Sequence, residues 1–461
     1  MADLEGLARK LLGKDISREN ILNTLIKEYL FYKNIPKETA KILADAVIRE
    51  VENSSKIAND PIVKDILRIP ISGVTIGEQG VGCRGWGDFF VHKLIADIAK
   101  TSNDPILSPQ SLDDAGAVVY NTKKEEDNRK TFIVTKSEGM HSRLSDFPFI
   151  AGFHVTRAAL RDLYVKGARP ISIMVDLHLA DDADIGKLFD FMGGVSAVAE
   201  LSGVPITAGS TLRIGGDLVI GTRITGGIAA VGLAEKLLVR RNIQSGDVIL
   251  MSEGAGGGTI ATTAIYSGMH DVLKETLNIK FLTACEALIN TNLIQDIHCC
   301  CDVTNGGLRG DLHEIAYEAK VGIRVVEKKV QKLVNDKVFQ MLNKVNVDYL
   351  GVSLDALLIF CPSDKLDRIC SAIRDVGVEI EEIGSVNNQN GKIILESHTG
   401  EEKLIPKFRE SAYTKIKQVV GEEIDETTKK RFEEKIEDSV ANAIKKRERI
   451  INWIKERDEK L

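Results

Sequence analysis

Apolar residues recur every three or four positions through the first seventy residues, give way to short β-rich runs from Ile71, and return to helical spacing at the end. In the first stretch Ser17 caps a helix carrying Ile21, Leu22, Leu25, Ile26, Tyr29 and Leu30 on one face. Pro36 opens a second helix, with Ala40, Leu43, Ala46, Val47 and Val51 turned inward. Beyond Ile71 the runs FIVT (132–135), ISIMVDLHL (171–179) and DLVIGTRITGGIAAVG (217–232) alternate with helical patterns at 152–167 and 186–202. Strand–helix alternation of this kind predicts an α/β or α+β unit. A second break falls near Glu235–Arg241. After it, GDVILMSEGAGGG (246–258) reads as a strand entering a glycine-rich turn, IHCCCDV (297–303) as a further strand, and strand–helix units continue to Val386. The tail 423–461 is highly charged, with Phe432, Ile436, Val440, Ile444, Ile451 and Ile454 at near-helical spacing, an amphipathic helix that packs on another element.

Composition narrows the function. A chain of 461 residues suits two or three domains, and 43% hydrophobic with 28% charged residues is a globular mixture. The net charge of −6 argues against a nucleic-acid binder, which needs a basic surface. No apolar run approaches the roughly 18 residues of a membrane span, and the N-terminal MADLEGLARKLLGKD is an amphipathic helix pattern rather than a signal peptide. Seven cysteines without a C-x₂-C pair fit free thiols in a reducing cytosol, so a cytoplasmic protein is expected. An anionic substrate would be held by local devices: a bound cation, a few Lys or Arg, and backbone N–H groups.

Four segments carry candidate chemistry. In SLDDAGAVVY (111–120) the adjacent carboxylates Asp113 and Asp114 are most easily retained where a cation neutralises them, and Mg²⁺ held with substrate phosphates fits; a solvated turn is the plain alternative. In GEQGVGCRGWGDFF (77–90), glycines that include Gly80 and Gly82 allow close backbone approach to phosphates, with Arg84 as a charged fork, or else form a simple connector. VTKSEGMHSR (134–143) follows a strand and offers Lys136 as a cation, Glu138 as a metal-binding carboxylate and His141 as a general acid or base. In HCCCDVTNGGLRGDL (298–312) three consecutive cysteines on a strand point to alternating faces and cannot chelate one ion. Asp302 closes that strand ahead of a glycine pair and a helix, a suitable place for a further carboxylate ligand.

Taken in order, these segments resemble the superfamily of aminoimidazole ribonucleotide (AIR) synthetase. That superfamily also holds formylglycinamide ribonucleotide synthetase, selenophosphate synthetase, thiamine monophosphate kinase and the hydrogenase maturation dehydratase. DDAGAV is similar to the family's metal motif, and ALRDLYVKGARPISIMVDLHL (159–179) to its helix–strand unit. AGSTLRIG (208–215) stands where the family writes GGDT, DVTNGGLRGDL (302–312) resembles its DVTGGGL, and VSLDALLIFCP (352–362) with EIGSV (382–386) resemble the closing strands. The resemblance covers roughly 71–390 and implies an α+β, two-domain fold with helical extensions: 1–70 and 406–461 outside, 71–235 the ATP-binding domain, 236–405 the second domain. It further implies a homodimer whose paired sheets form a barrel, with ATP near that interface. Asp113, Asp114, Glu138, Asp162 and Asp302 would hold Mg²⁺; Gly80, Gly82 and Arg84 would cover the phosphates; Gly209 and Thr211 would lie near the nucleotide; Lys136, His141 and Arg84 would be catalytic.

The departures bear on which reaction follows. Val81 stands where selenophosphate synthetases carry a reactive Cys or Sec, so that nucleophile is missing. The terminal NWIKERDEKL lacks the cysteine on which the hydrogenase protein carries its carbamoyl group. Lys136 and Ser210 replace two aspartates of thiamine monophosphate kinase, while Lys136, Glu138 and His141 look most like formylglycinamide ribonucleotide synthetase. Two functions follow from the sequence: phosphoryl transfer from ATP to a small anionic metabolite, or nucleotide binding without turnover in a regulatory or scaffold subunit.

Overall fold

The computed structural model describes residues 1–56, 60–81, 83, 85–100, 105–111, 113–120, 130–304, 306–410 and 412–458. Three helices open it: α1 (Leu4–Leu12), α2 (Arg18–Tyr32) and α3 (Lys37–Ser54). The Ser17 side chain accepts from Asn20 N as the cap of α2, and Pro36 sits at the N-cap of α3, as the sequence predicts. Ile21, Leu25, Ile26 and Tyr29 on α2 and Ala40, Val47 and Val51 on α3 are buried as expected, with local differences. Leu30 is 40% exposed and Ala46 also faces solvent, while Ala44 and Ile48 go inside. The helical unit attaches where Ala2–Asp3 pairs antiparallel with Val219–Ile220, and where Lys33 reaches the carboxylates of Asp181 and Asp182.

Helix α4 (Trp86–Ala99) leads into the first sheet. Its strands are β1 (Gly116–Tyr120), β2 (Thr131–Gly139), β3 (Arg169–Leu179), β4 (Ile206–Arg213) and β5 (Ile224–Ala234), with α5 (Pro148–Tyr164) and α6 (Gly186–Ser202) between them. The spatial order is β1-β2-β5-β3-β4; β3 and β4 run parallel and the other pairs antiparallel. The run expected as one strand over 217–232 is broken into Val219–Ile220 and β5, with Gly221 at φ +124 between them.

The second sheet contains β6 (Val248–Ser252), β7 (Cys299–Val303), β8 (Gly322–Val326), β9 (Ala356–Cys361), β10 (Ile380–Asn387), β11 (Ile393–Ser397) and β12 (Gly400–Lys403). Their order is β12-β11-β8-β10-β6-β9-β7, with β8 and β11 the parallel pair. Helix α7 (Gly258–Tyr266) follows β6 and α8 (Gly307–Ala319) follows β7. The alternation read from the cysteines is present: Cys299 and Cys301 enter one hydrophobic core while Cys300 enters the other. That second core is shared with the first domain, because α5 lies against both sheets and nearly all its residues are buried.

The charged tail forms α9 (Glu426–Asp458), docked along residues 61–100: Lys446 donates to the Ile66 and Arg68 carbonyls, and Arg447 to those of Ile98 and Lys100. Among the described residues no helix is long and apolar enough to cross a membrane.

Candidate active site

Helix α5 sets the site. His154, Arg157 and Arg161 fall at helical spacing on one face, turned towards the second domain. Arg157 bonds Asp355 at 2.5 Å and three backbone carbonyls, those of Gly256, Thr276 and Asn278. Arg161 reaches Asp302 at 2.5 Å, Asp355 at 2.7 Å and its neighbour Asp162 at 3.1 Å. Asp302 closes β7 and Asp355 precedes β9, so two arginines on one helix clamp the domains together. Buried charges persist only when paired in this way.

A cavity of about 390 Å³ opens beside the clamp. Strand β2 places Lys136 and Glu138, two residues apart, on the same face; Lys136 Nζ lies 3.3 Å from Glu138 and 2.6 Å from Asp162. The second domain contributes Asp302, Asp355, Glu314 and the first turn of α7, Gly257 to Thr259, a helix N-terminus that favours an anion. His154 stands at this turn with Nδ1 buried and without a hydrogen-bond partner. Burial, with Arg157 beside it, holds the His154 imidazole well below its ordinary range, so it is neutral. Seven carboxylates line the cavity against four Lys and Arg side chains, with Lys166 just beneath, so a polyanion would need a further cation to enter.

The carboxylates expected as metal ligands are not equivalent. All four oxygens of Asp113 and Asp114 already face nitrogen: Lys166 Nζ at 2.5 and 3.0 Å, Arg240 Nη2 at 2.8 Å and the Arg240 backbone N–H at 3.3 Å. Burial works against the Asp114 charge, yet Arg240 and Lys166 hold its carboxyl well below the usual range. This pair does not fit Mg²⁺. Asp162 and Asp302 meet across the domain boundary and both line the cavity, with Lys136 at 2.6 Å and Arg161 at 3.0 Å from Asp162 and Arg161 at 2.5 Å from Asp302. Burial raises Asp302 to about 7, and Asp162 and Asp114 add to the rise, a repulsion that a cation would relieve. Among the described residues no group of three or more His, Cys, Asp or Glu stands ready for a metal. Mg²⁺, however, commonly takes only one or two carboxylates, with phosphates completing its shell.

His141 lies at the cavity with both ring nitrogens engaged. Thr262 spends its hydrogen on the Gly258 carbonyl at 2.7 Å, so it accepts from His141 Nδ1–H at 3.2 Å. Nε2 is therefore bare and accepts the Tyr413 hydroxyl at 2.6 Å. The result is a three-way pin joining β2's exit, α7 and the segment after β12. Burial, with Lys417 and Arg143 adding to it, lowers the His141 imidazole to about 4. The unfolded ring protonates near its ordinary 6.5, so stability that is full above that value is lost as the pH falls towards 4. Acidification from pH 7 to pH 5 should cost about 2 kcal/mol through this ring. Denaturant titrations of the parent and His141→Asn at both pH values should show a shallower loss in the variant.

The remaining expected site residues lie elsewhere. The glycine loop is folded against residues 407–409: Trp86 N–H donates to the Lys407 carbonyl at 3.0 Å and Gly87 N–H to that of Phe408 at 3.2 Å. A Cβ on Gly85 would strike the Lys407 carbonyl, and Gly80, at φ +74, packs under Arg409. Close packing on the tail accounts for Gly80 and Gly85. Gly82 and Arg84 lie outside the described residues. Gly209 and Thr211 sit on β4, which is exposed at every residue, and they do not line the cavity. Sequence reading missed Arg157, Arg240 and Tyr413, and passed over Arg161, Lys166 and Asp355 inside quoted motifs.

Comparison with known proteins agrees with this architecture. Residues 112–234 match the N-terminal domain, and residues 244–396 the C-terminal domain, of the AIR synthase related proteins. An uncharacterized protein of Methanocaldococcus jannaschii is 45% identical over 100% of both chains. Carbamoyl dehydratase HypE of Azotobacter vinelandii is 27% identical over 51% of this chain and 69% of its own. The crystal structure of the hydrogenase maturation protein HypE in complex with ATP superimposes with a TM-score of 0.51, at 21% identity, over 68% of this chain and 94% of that one.

Proposed function

Because the chain belongs to the AIR synthase related family, we propose that it is an ATP-dependent enzyme that transfers the γ-phosphate to a small anionic metabolite, or activates its oxygen for displacement. The observation that carries this reading is the interdomain cavity, where Lys136, Asp162 and Asp302 converge. Asp162 and Asp302 would hold Mg²⁺, which would neutralise charge on the phosphates. Lys136 presents an ammonium to the transferring group, held in place by Glu138 and Asp162. The first turn of α7, with the free Nδ1 of His154, suits the anionic group of the acceptor. His141 serves to pin the cavity's wall. Catalysis of this kind is positioning and charge neutralisation more than covalent chemistry.

The test is binding of a non-hydrolysable ATP analogue with Mg²⁺, followed by ADP release against a panel of small phosphates and carboxylates. A folded protein that binds the analogue yet releases no ADP with any of them would favour the regulatory or scaffold reading. No binding at all would sink both.

A second copy completes the first sheet in this reading. Strand β4 is an open edge, and Val118, Tyr120, Ile171, Leu212 and Leu233 are 40–55% exposed on the sheet and its edge. Leu212→Asp should convert a dimer to a monomer in sedimentation velocity; an unchanged sedimentation coefficient would refute this interface.

A further inference from the structure

Lys166 is the one lysine in the site with no exposed surface. It follows the end of α5, and its main chain is fixed there: its N–H donates to the Leu163 carbonyl and its carbonyl accepts from Leu238 N–H. Its ammonium also donates to the Cys300 carbonyl on β7, at 3.2 Å. From that position Nζ faces Asp113 Oδ1 at 2.5 Å and Asp114 Oδ2 at 3.0 Å, the latter as an ion pair only. Arg240 covers the remaining two oxygens and is itself tied to Glu314 at 3.5 Å.

Two carboxylates thus meet two fixed cations. A divalent ion coordinating either aspartate, at about 2.1 Å, would have to share these oxygens with two resident cations at close range or displace one of them. Lys166 does not border the cavity, so its ammonium has no path to water and would remain buried and unpaired, at a cost of several kcal/mol. A Mg²⁺ ion, reluctant to shed its own waters, does not recover that cost on a pair whose charge is already balanced.

We propose that Lys166 and Arg240 are the resident counter-charges of Asp113–Asp114, and that this acidic pair takes no divalent cation when the protein is at work. The inference refines the reading of the cavity as a nucleotide site: the cation that accompanies the nucleotide is left to Asp162 and Asp302. It also recasts the acidic pair as part of the domain clamp, since Lys166 joins the loop before β1 to β7.

Mn²⁺ is the probe. Crystals of the full chain soaked in Mn²⁺, with and without a non-hydrolysable ATP analogue, are examined by anomalous scattering, and Mn²⁺ binding is titrated in solution by electron paramagnetic resonance. The parent is expected to show no manganese within coordination distance of Asp113 or Asp114. Lys166→Met is expected to gain a site bound at least about tenfold more tightly than any at the pair in the parent, a difference of about 1.4 kcal/mol. Adding Asp114→Asn should remove that gain. Manganese on the pair in the parent overturns the proposal, and so does a folded Lys166→Met that gains nothing. If Lys166→Met does not fold, the parent's anomalous map decides alone. Absence of the analogue from the cavity would count against the nucleotide reading and leave this inference standing.

Discussion

Arg161→Met should destabilise the folded protein by about 3–5 kcal/mol, the loss expected when one partner of a buried ion pair is removed and the other left uncompensated. The effect is large because one guanidinium serves three carboxylates: Asp302 at 2.5 Å, Asp355 at 2.7 Å and Asp162 at 3.1 Å. Burial disfavours the Arg161 charge, but Asp302, Asp162 and Asp355 hold it well above its ordinary range. Lys at this position keeps the charge without the fork and should recover part of the loss. Equilibrium denaturation would measure both variants. A loss below about 1 kcal/mol for methionine would mean the clamp contributes no more than an exposed ion pair. Because Arg161 binds residues of the second domain from a helix of the first, the variant should also unfold with separated domain transitions.

The second large effect concerns turnover. Asp302→Asn should lower metal-dependent ADP release on the order of 10²–10³-fold, the range typical of removing one preorganised electrostatic group. Asp302 is also a partner of Arg161 at 2.5 Å, so the variant should lose some stability as well. A loss of ADP release in protein that denaturation shows to be still folded separates the metal-binding role from the clamp. Asp113→Asn should act chiefly on stability, since it leaves the Lys166 ammonium short of a partner in a fully buried position. Undiminished ADP release in Asp302→Asn would remove that residue from the nucleotide site.

The fold was largely legible because its signals are local. The β2 exit, the cysteine strand and the helix–strand unit at 159–179 each announce themselves within twenty or so residues, and their order carries the family. The alternating burial of Cys299, Cys300 and Cys301 needs only the two-residue period of a strand. The site was legible in its acids and not in its bases. Asp113 and Asp114 stand together in the sequence, whereas Lys166 and Arg240 reach them across separations of 53 and 127 residues. Tyr413 meets His141 from 272 residues away, in a segment with no periodic or motif signal of its own. An acidic pair in a sequence shows that a cation is needed there; only the fold shows that the chain supplies it. The glycine loop is ambiguous for a related reason. Glycine permits close approach to a phosphate or to another stretch of backbone, and here the partner is the Lys407 carbonyl.

The docking of α9 along residues 61–100, and of residues 407–409 against the glycine loop, has a consequence for the order of synthesis. The first and second sheets can assemble while the last fifty or so residues are still being made, since their cores use none of that segment except its beginning. The lip of the cavity cannot. His141 has no hydroxyl to accept from, and the glycine loop outside the cavity no surface to settle on, until residues 407–413 have emerged. A nascent chain would therefore carry a formed charge cluster with an open mouth, and the protein would become competent only on release. Truncation before Tyr413 should freeze it in that unfinished form.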